Sequence, residues 1–234
     1  MTDSSAPKPG CGAYGEAMRV THLGHSCLLV EIGGERILID PGTFTPGFED
    51  LRDLSAVVVT HQHPDHLDPG RVPALVRANA GVRVLCDPGS AEVLAGVGVE
   101  ASTHNGATTL GAVTITPVGE VHALIHEDLP RIPNVGVVLR AEGEPNLFHP
   151  GDAVDQDPGA VDVVAFPLNA PWQRSRELTG FLRRLNPRTA VPIHDGLLNE
   201  RGRALYLRQA AELGGTDTEI RDLAGRGATD LSGH

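Results

Sequence analysis

One short stretch, His61-Gln62-His63-Pro64-Asp65-His66, places four metal-capable side chains within six residues. Imidazole nitrogens and carboxylate oxygens are good ligands for zinc and similar divalent ions. In an extended segment His61 and His63 point to the same side and can share one ion. Pro64 turns the chain, so Asp65 and His66 face another direction. Four ligands split across a turn imply two ions. Three more metal-capable residues each follow an apolar run: His122 after Val113–Glu120, Asp152 after Phe148-His149-Pro150-Gly151, and His194 after Thr189–Ile193. Strand ends on one edge of a sheet converge, so these distant residues can meet the first four.

Composition narrows the chemistry further. Lys8 is the only lysine, so no lysine in the body of the chain serves as a Schiff base or phosphate-loop group. The net charge of −11 disfavours nucleic acid, which needs a basic face. Cys11, Cys27 and Cys86 are too few and too scattered for a disulfide framework or a cysteine-rich zinc site. Neither an apolar run long enough to span a bilayer nor a secretory leader is visible, so a cytoplasmic protein with no membrane partner is expected.

The elements that must position these residues can be read in outline. Residues 1–17 are polar, rich in Pro and Gly and aperiodic, and are expected to be a disordered tail. A single domain is expected over 18–225, with 226–234 as a second tail. Met18–Leu23, Cys27–Ile32 and Arg36–Asp40 read as strands, the last two joined by Gly33-Gly34 as a hairpin. Ala56–Thr60 is a buried strand ending where the histidines begin. Strands are also expected at Val82–Cys86, Val113–Val118, Val135–Arg140, Asn146–His149, Val161–Phe166, Thr189–Ile193 and Ile220–Leu223. Helices are expected at Pro69–Asn79, Ser90–Ala95, Arg174–Leu185 and Glu200–Leu213, the last two stopped by Asn186-Pro187 and Gly214-Gly215. Hairpins early and helices interspersed later fit two sheets packed face to face with helices outside.

At His61-x-His63-x-Asp65-His66, His122, Gly151-Asp152 and His194 the chain resembles the metallo-β-lactamase superfamily. The resemblance runs over nearly everything after residue 17. It implies an α+β fold, a four-layer αββα sandwich with a two-metal site at one edge. It implies that His61, His63 and His122 hold one ion, that Asp65, His66 and His194 hold the other, and that Asp152 bridges them. Asp65 and Asp152 stand as the catalytic carboxylates. The implied chemistry is hydrolysis by a hydroxide shared between two divalent ions, zinc foremost, with manganese or iron as alternatives. Asp40, closing Ile37-Leu38-Ile39-Asp40, matches an early aspartate of the family and is read as a group behind the ligands. Thr21-His22-Leu23-Gly24-His25-Ser26, Pro167, Trp172 and Pro192-Ile193-His194 resemble a subgroup that includes ascorbate-6-phosphate lactonase. His63 stands where the oxygen-reducing di-iron branch carries Glu, which favours hydrolysis over redox chemistry.

Around this set, His25, Asp40, His149 and Trp172 are candidates for orienting the ligands or touching substrate. His104 and His126 fall in loops and are expected to be solvated. The segment Ala123–Asn134 is long enough to form a flap. Cys27 and Cys86 sit within strands and suit a buried apolar role. The expected partner is a small ester, lactone or phosphate-bearing molecule, with a homo-oligomer the expected state. A superfamily nuclease or phosphodiesterase, a thioesterase, and a metal-binding protein that keeps the fold without turnover are the alternatives.

Overall fold

The computed structural model describes residues 18–231. The expected tail at 1–17 lies outside them. Fourteen strands and four α-helices follow one another in the described residues. The first sheet holds β1 (Arg19–Gly24), β2 (Cys27–Ile32), β3 (Glu35–Ile39), β4 (Ala56–Val59), β5 (Arg83–Cys86) and β6 (Ser102–Thr103), closed on its far side by β14 (Thr229–Asp230). The second holds β7 (Thr108–Leu110), β8 (Val113–Val118), β9 (Gly136–Arg140), β10 (Leu147–His149), β11 (Val163–Pro167), β12 (Thr189–Ile193) and β13 (Glu219–Ile220), paired in reverse chain order. Both sheets are mixed: β1 to β3 run antiparallel and β3 to β6 parallel, while β7 to β10 run antiparallel and β10 to β13 parallel.

Alternation along the central strands explains the layering. Leu28, Val30, Ile37, Ile39, Ala56 and Val58 face inward and meet Val137, Leu139, Val163, Ala165, Val191 and Ile193 of the other sheet in one core. Their neighbours Leu29, Leu38, Val57 and Val59 face outward under α1 (Val72–Ala78) and α2 (Pro88–Gly96), against Leu75 and Leu94. On the opposite side Val138, Phe148, Val164 and Phe166 pack under α3 (Ser175–Leu185) and α4 (Glu200–Leu213), against Leu178, Phe181, Leu182 and Ala210. Both faces of the central strands are thus dry, which is why β4, β11 and β12 read as unbroken apolar runs. The result is the expected αββα sandwich.

Local chemistry sets the helix ends. Asp87 caps α2 by accepting from Gly89 N and Ser90 N, with Pro88 in the first helical position. Asn199 caps α4 by accepting from Gly202 N at 2.9 Å. α3 ends at Asn186 in left-handed backbone, before Pro187. α1 starts three residues later than expected, because the Asp68 carboxylate accepts from Gly70 N and Arg71 N and holds that turn outside the helix.

Three expectations need correction. The fold does not stop at 225: Thr229 and Asp230 pair with Val20 and Arg19, and Leu231 is buried in the central core. The short strands β6, β7 and β14 were not foreseen; two or three residues carry no readable alternation. His104, just past β6, is not solvated. Both its ring nitrogens are buried without a hydrogen-bond partner among the described residues, whereas His126 is exposed as expected.

Burial pushes the His104 imidazole down from 6.5 to about 4. The unfolded chain takes up this proton near the ordinary value, and the folded chain refuses it until about pH 4. Folding stability therefore falls as pH drops through that window, by roughly 2–3 kcal/mol from this group. Urea unfolding of the parent and His104→Phe proteins between pH 7 and 4 measures this. The variant is expected to lose that part of the acid slope; parallel slopes would dismiss the assignment.

Candidate metal centre

The site forms where chain segments leave the strands on one edge of the sandwich. Asp40 follows β3, Thr60 to His66 follow β4, His149 closes β10 ahead of Asp152, and His194 follows β12. His25 lies in the tight turn between β1 and β2, and His122 follows β8 after a short connection. Left-handed backbone is confined to five non-glycine positions among the described residues, and His25, Asp40 and His194 are three of them. Such conformations cost energy and persist only where surrounding contacts hold them.

Each imidazole is turned by a partner behind it. His122 Nδ1 donates to Ala123 O at 2.6 Å, and His194 Nδ1 to Asn169 O at 2.7 Å. His66 Nδ1 donates to Asp40 Oδ2 at 2.7 Å. Their Nε2 atoms are therefore unprotonated in the neutral ring and aim forward. His61 Nδ1 lies 3.1 Å from Thr60 Oγ1, leaving Nε2 forward as well, 3.1 Å from His63 Nδ1.

These nitrogens converge on two carboxylates. Asp152 Oδ2 lies 3.4 Å from His122 Nε2, 3.3 Å from His194 Nε2 and 4.0 Å from His61 Nε2. Asp152 Oδ1 lies 3.2 Å from His66 Nε2. Asp65 Oδ2 lies 3.5 Å from His194 Nε2 and 4.0 Å from His66 Nε2. Two groups result, His61, His63, His122 with Asp152, and Asp65, His66, His194 with His25; within each, the ligand atoms lie within 4.8 Å of one another. Asp152 touches members of both. Every residue expected as a ligand from the sequence is present at this one place.

The donor set fits divalent cations. His122 Nε2, His194 Nε2 and Asp152 Oδ1 are buried with no hydrogen-bond partner among the described residues, a costly state unless something electron-poor sits before them. The electrostatics demand the same. Burial pushes His61 and His63 down, so both stay neutral and keep lone pairs to offer. Burial opposes protonation of His66 too, but Asp152 and Asp40 override it and hold this imidazole well above its usual range. At His194, Asp152 and Asp65 likewise outweigh burial and raise it to about 9. Asp152 stays far below the usual carboxylate range despite burial, through His66 and His194. Asp65 does so through the His194 and His25 imidazoles beside it. Protons on His66 and His194 thus stand where cations would sit, and metal uptake would release them.

Residues behind the ligands include several that sequence reasoning passed over. Gly196 N donates to His25 Nδ1 at 3.0 Å, so the His25 proton sits on Nε2 and is donated to Asp65 Oδ2, also at 3.0 Å. His25 therefore grips Asp65 and is not itself presenting a lone pair. Asp40 accepts from Thr60 N and Thr60 Oγ1 while holding His66. Asn134 accepts from Asp152 N at 2.9 Å and donates to Pro150 O, fixing the Asp152 turn. A Cβ on Gly42 would lie 1.8 Å from Asp65 O, so only glycine lets these two loops meet. Trp172 Nε1 donates to Asp152 Oδ2 at 3.0 Å, and its ring lies edge-on to His122. His149 plays another part: its Nε2 donates to Ser26 O at 2.9 Å across the two sheets, and it does not line the cavity in front of the ligands. The Ala123–Asn134 segment is tied at its base by His122 N to Ile132 O and by Arg131 to His122 O, and its tip exposes Leu124, Ile125 and Leu129.

Comparison with known proteins identifies the class these features define. Residues 19–194 match the beta-lactamase superfamily domain, and the chain belongs to that family in its metallo-β-lactamase form. Among individual proteins it is similar to Protein Rv0786c of Mycobacterium tuberculosis, 40% identical over 204 residues that cover 87% of this chain and 96% of that one. It is 29% identical over 205 residues to a UPF0173 metal-dependent hydrolase of Methylobacterium nodulans, covering 76% of this chain and 85% of the relative. Among solved structures, Igni18, a metallo hydrolase from Ignicoccus hospitalis, superposes with a TM-score of 0.69 at 18% identity, covering 93% and 99% of the two chains, and shares the fold.

Because His25 grips Asp65, His25→Ala should weaken metal binding at the group of Asp65, His66 and His194 by about 10–100-fold, with little effect on binding at the group of His61, His63 and His122. Stepwise metal removal by a graded chelator series, followed by elemental analysis, reads this. Equal weakening of both ions, or of neither, would refute the role.

Proposed function

We propose that this protein is a metal-dependent hydrolase that works with two divalent cations and acts on a small molecule with an ester, lactone or related scissile bond. The observation that carries the reading is the pair of ligand groups, with Asp152 in one and 3.2–3.3 Å from His66 and His194 of the other, and with buried nitrogens and a carboxylate oxygen left unpartnered among the described residues. The hydrolase names borne by the relatives support it.

Bound there, the cations would supply Lewis acidity toward the scissile group and would make a water far more acidic than in bulk. His61, His63 and His122 would hold one ion and Asp65, His66 and His194 the other, with Asp152 between them. The chain's own work is positioning. Asp40, Ala123 O and Asn169 O fix which ring nitrogen of His66, His122 and His194 points forward. Trp172 holds Asp152 Oδ2 and so limits how that carboxylate can swing. Asp65 has a side chain 23% exposed and lines the cavity, so of the two carboxylates at the centre it is the more open to solvent and substrate, while His25 holds its Oδ2. Zinc is the favoured metal, with manganese or iron as alternatives. No helix among the described residues is long and apolar enough to cross a membrane.

Elemental analysis of the purified protein tests the centre directly. About two transition-metal ions per chain are expected, with His61→Ala and Asp152→Ala each losing metal and turnover. Chelation should abolish hydrolysis and added zinc or manganese should restore it. Full activity in the chelated protein, or in His61→Ala, would defeat the reading.

A further inference from the structure

The cavity in front of the ligands has a volume of about 350 Å³, near the lower end of the ~300–1,000 Å³ usual for small-molecule sites. Its floor is the ligand cluster. Its walls are Phe44, Ile125, Pro171, Trp172 and Leu197. Phe44, Ile125 and Leu197 are 46%, 43% and 56% exposed, an unusual outlay of large apolar surface around one opening. Three of the wall residues lie a few positions from a site residue in the chain: Phe44 after Asp40, Ile125 after His122, Leu197 after His194. The loops that place the ligands therefore also place the apolar wall, at a set distance from the floor.

Cations are missing from that wall. No arginine or lysine among the described residues lines the cavity. The guanidiniums nearby are committed elsewhere. Arg131 spends Nε and Nη2 on His122 O, at 2.9 and 2.6 Å. Arg71 is spread over Asp68, Glu49 and the carbonyls of Gly42 and Thr45. Arg174 is the exception: with Glu127, Asp155 and Glu177 it lines an adjoining depression that shares Ile125 and Trp172 with this cavity but lies beyond its wall. A phosphate or carboxylate carried away from the reacting bond would meet hydrocarbon here, with its desolvation uncompensated.

We propose that the group attached to the scissile bond is an uncharged alkyl or aryl group of modest size, seated between Phe44, Ile125, Trp172 and Leu197, and that a molecule carrying a phosphate away from that bond is not the substrate. This rests on the hydrolase reading and narrows its substrate class. The walls contribute by removing apolar surface from water, so discrimination grows with each methylene buried.

The test uses the full chain loaded with zinc or manganese. Rates are measured for p-nitrophenyl acetate, butyrate, hexanoate and octanoate, with p-nitrophenyl hemisuccinate and p-nitrophenyl hemiglutarate as charged counterparts and His61→Ala as background. kcat/KM is expected to climb by roughly two- to fourfold per methylene until the cavity is full, with the charged compounds at least tenfold below butyrate. Leu197→Lys, at an exposed position that folding tolerates, should flatten the series and raise the hemisuccinate relative to hexanoate. A flat series, or a preference for the charged compounds, overturns the substrate class while leaving the hydrolase reading intact. Should no ester be turned over, the hydrolase reading loses its support, and the cavity is tested by itself. Trp172 is the sole tryptophan, so its fluorescence reports occupancy by acetate, butyrate, hexanoate and octanoate. A Kd that tightens with chain length supports the apolar seat, and a constant Kd overturns it.

Discussion

One buried carboxylate organises the rest of the centre. Asp40 has no exposed surface, and a charge in that position is tolerated only when every lone pair is engaged. Its two oxygens accept from the backbone and hydroxyl of Thr60 and from the His66 ring. Those three bonds fasten the end of β3 to the start of the His61–His66 segment and aim His66 forward. Gly42, two residues on, then lets the backbone of Asp65 approach as closely as it does. Loss of the Asp40 charge would free His66, Thr60 and the Asp65 loop together, because they are satisfied by the same atoms.

Beyond Asp40, the centre depends on the seam between the two sheets. His194 N donates to His25 O, and His149 Nε2 donates to Ser26 O, so the β1–β2 turn of one sheet is stitched to strand ends of the other. His61, Asp65 and His66 come from the first sheet, and His122, Asp152 and His194 from the second. Left-handed backbone at His25, Asp40 and His194 is the local cost of bringing both sets to one place.

Much of this was legible in the sequence, for identifiable reasons. His61, His63, Asp65 and His66 are contiguous, so their chemistry shows without knowledge of the fold. His122, Asp152 and His194 become visible because each closes an apolar run, and runs buried on both faces are easily read. Asn134 has no such signal: its value lies in reaching Asp152 N and Pro150 O, a contact that only the folded chain creates. The part played by His25 is likewise set by Gly196, 171 residues away. His104 misleads because a polar residue between short strands reads as exposed, while its ring is covered by tertiary packing. The apolar wall of the cavity escaped notice because Phe44, Ile125 and Leu197 lie in three separate loops with no shared periodicity.

The pairing of β14 with β1 sets an order of events as well as a shape. The second sheet is built from strands consecutive in the chain and can zip from neighbour to neighbour. The first cannot be completed that way, since Arg19 waits for Asp230. During synthesis β1 is among the earliest strands to emerge and the last to gain its outer neighbour. For that interval its free edge is a template for pairing with another chain. The centre is assembled from residues up to His194, so its ligands are all available before that edge is closed. The chain thus gathers its chemistry before it finishes guarding itself against aggregation.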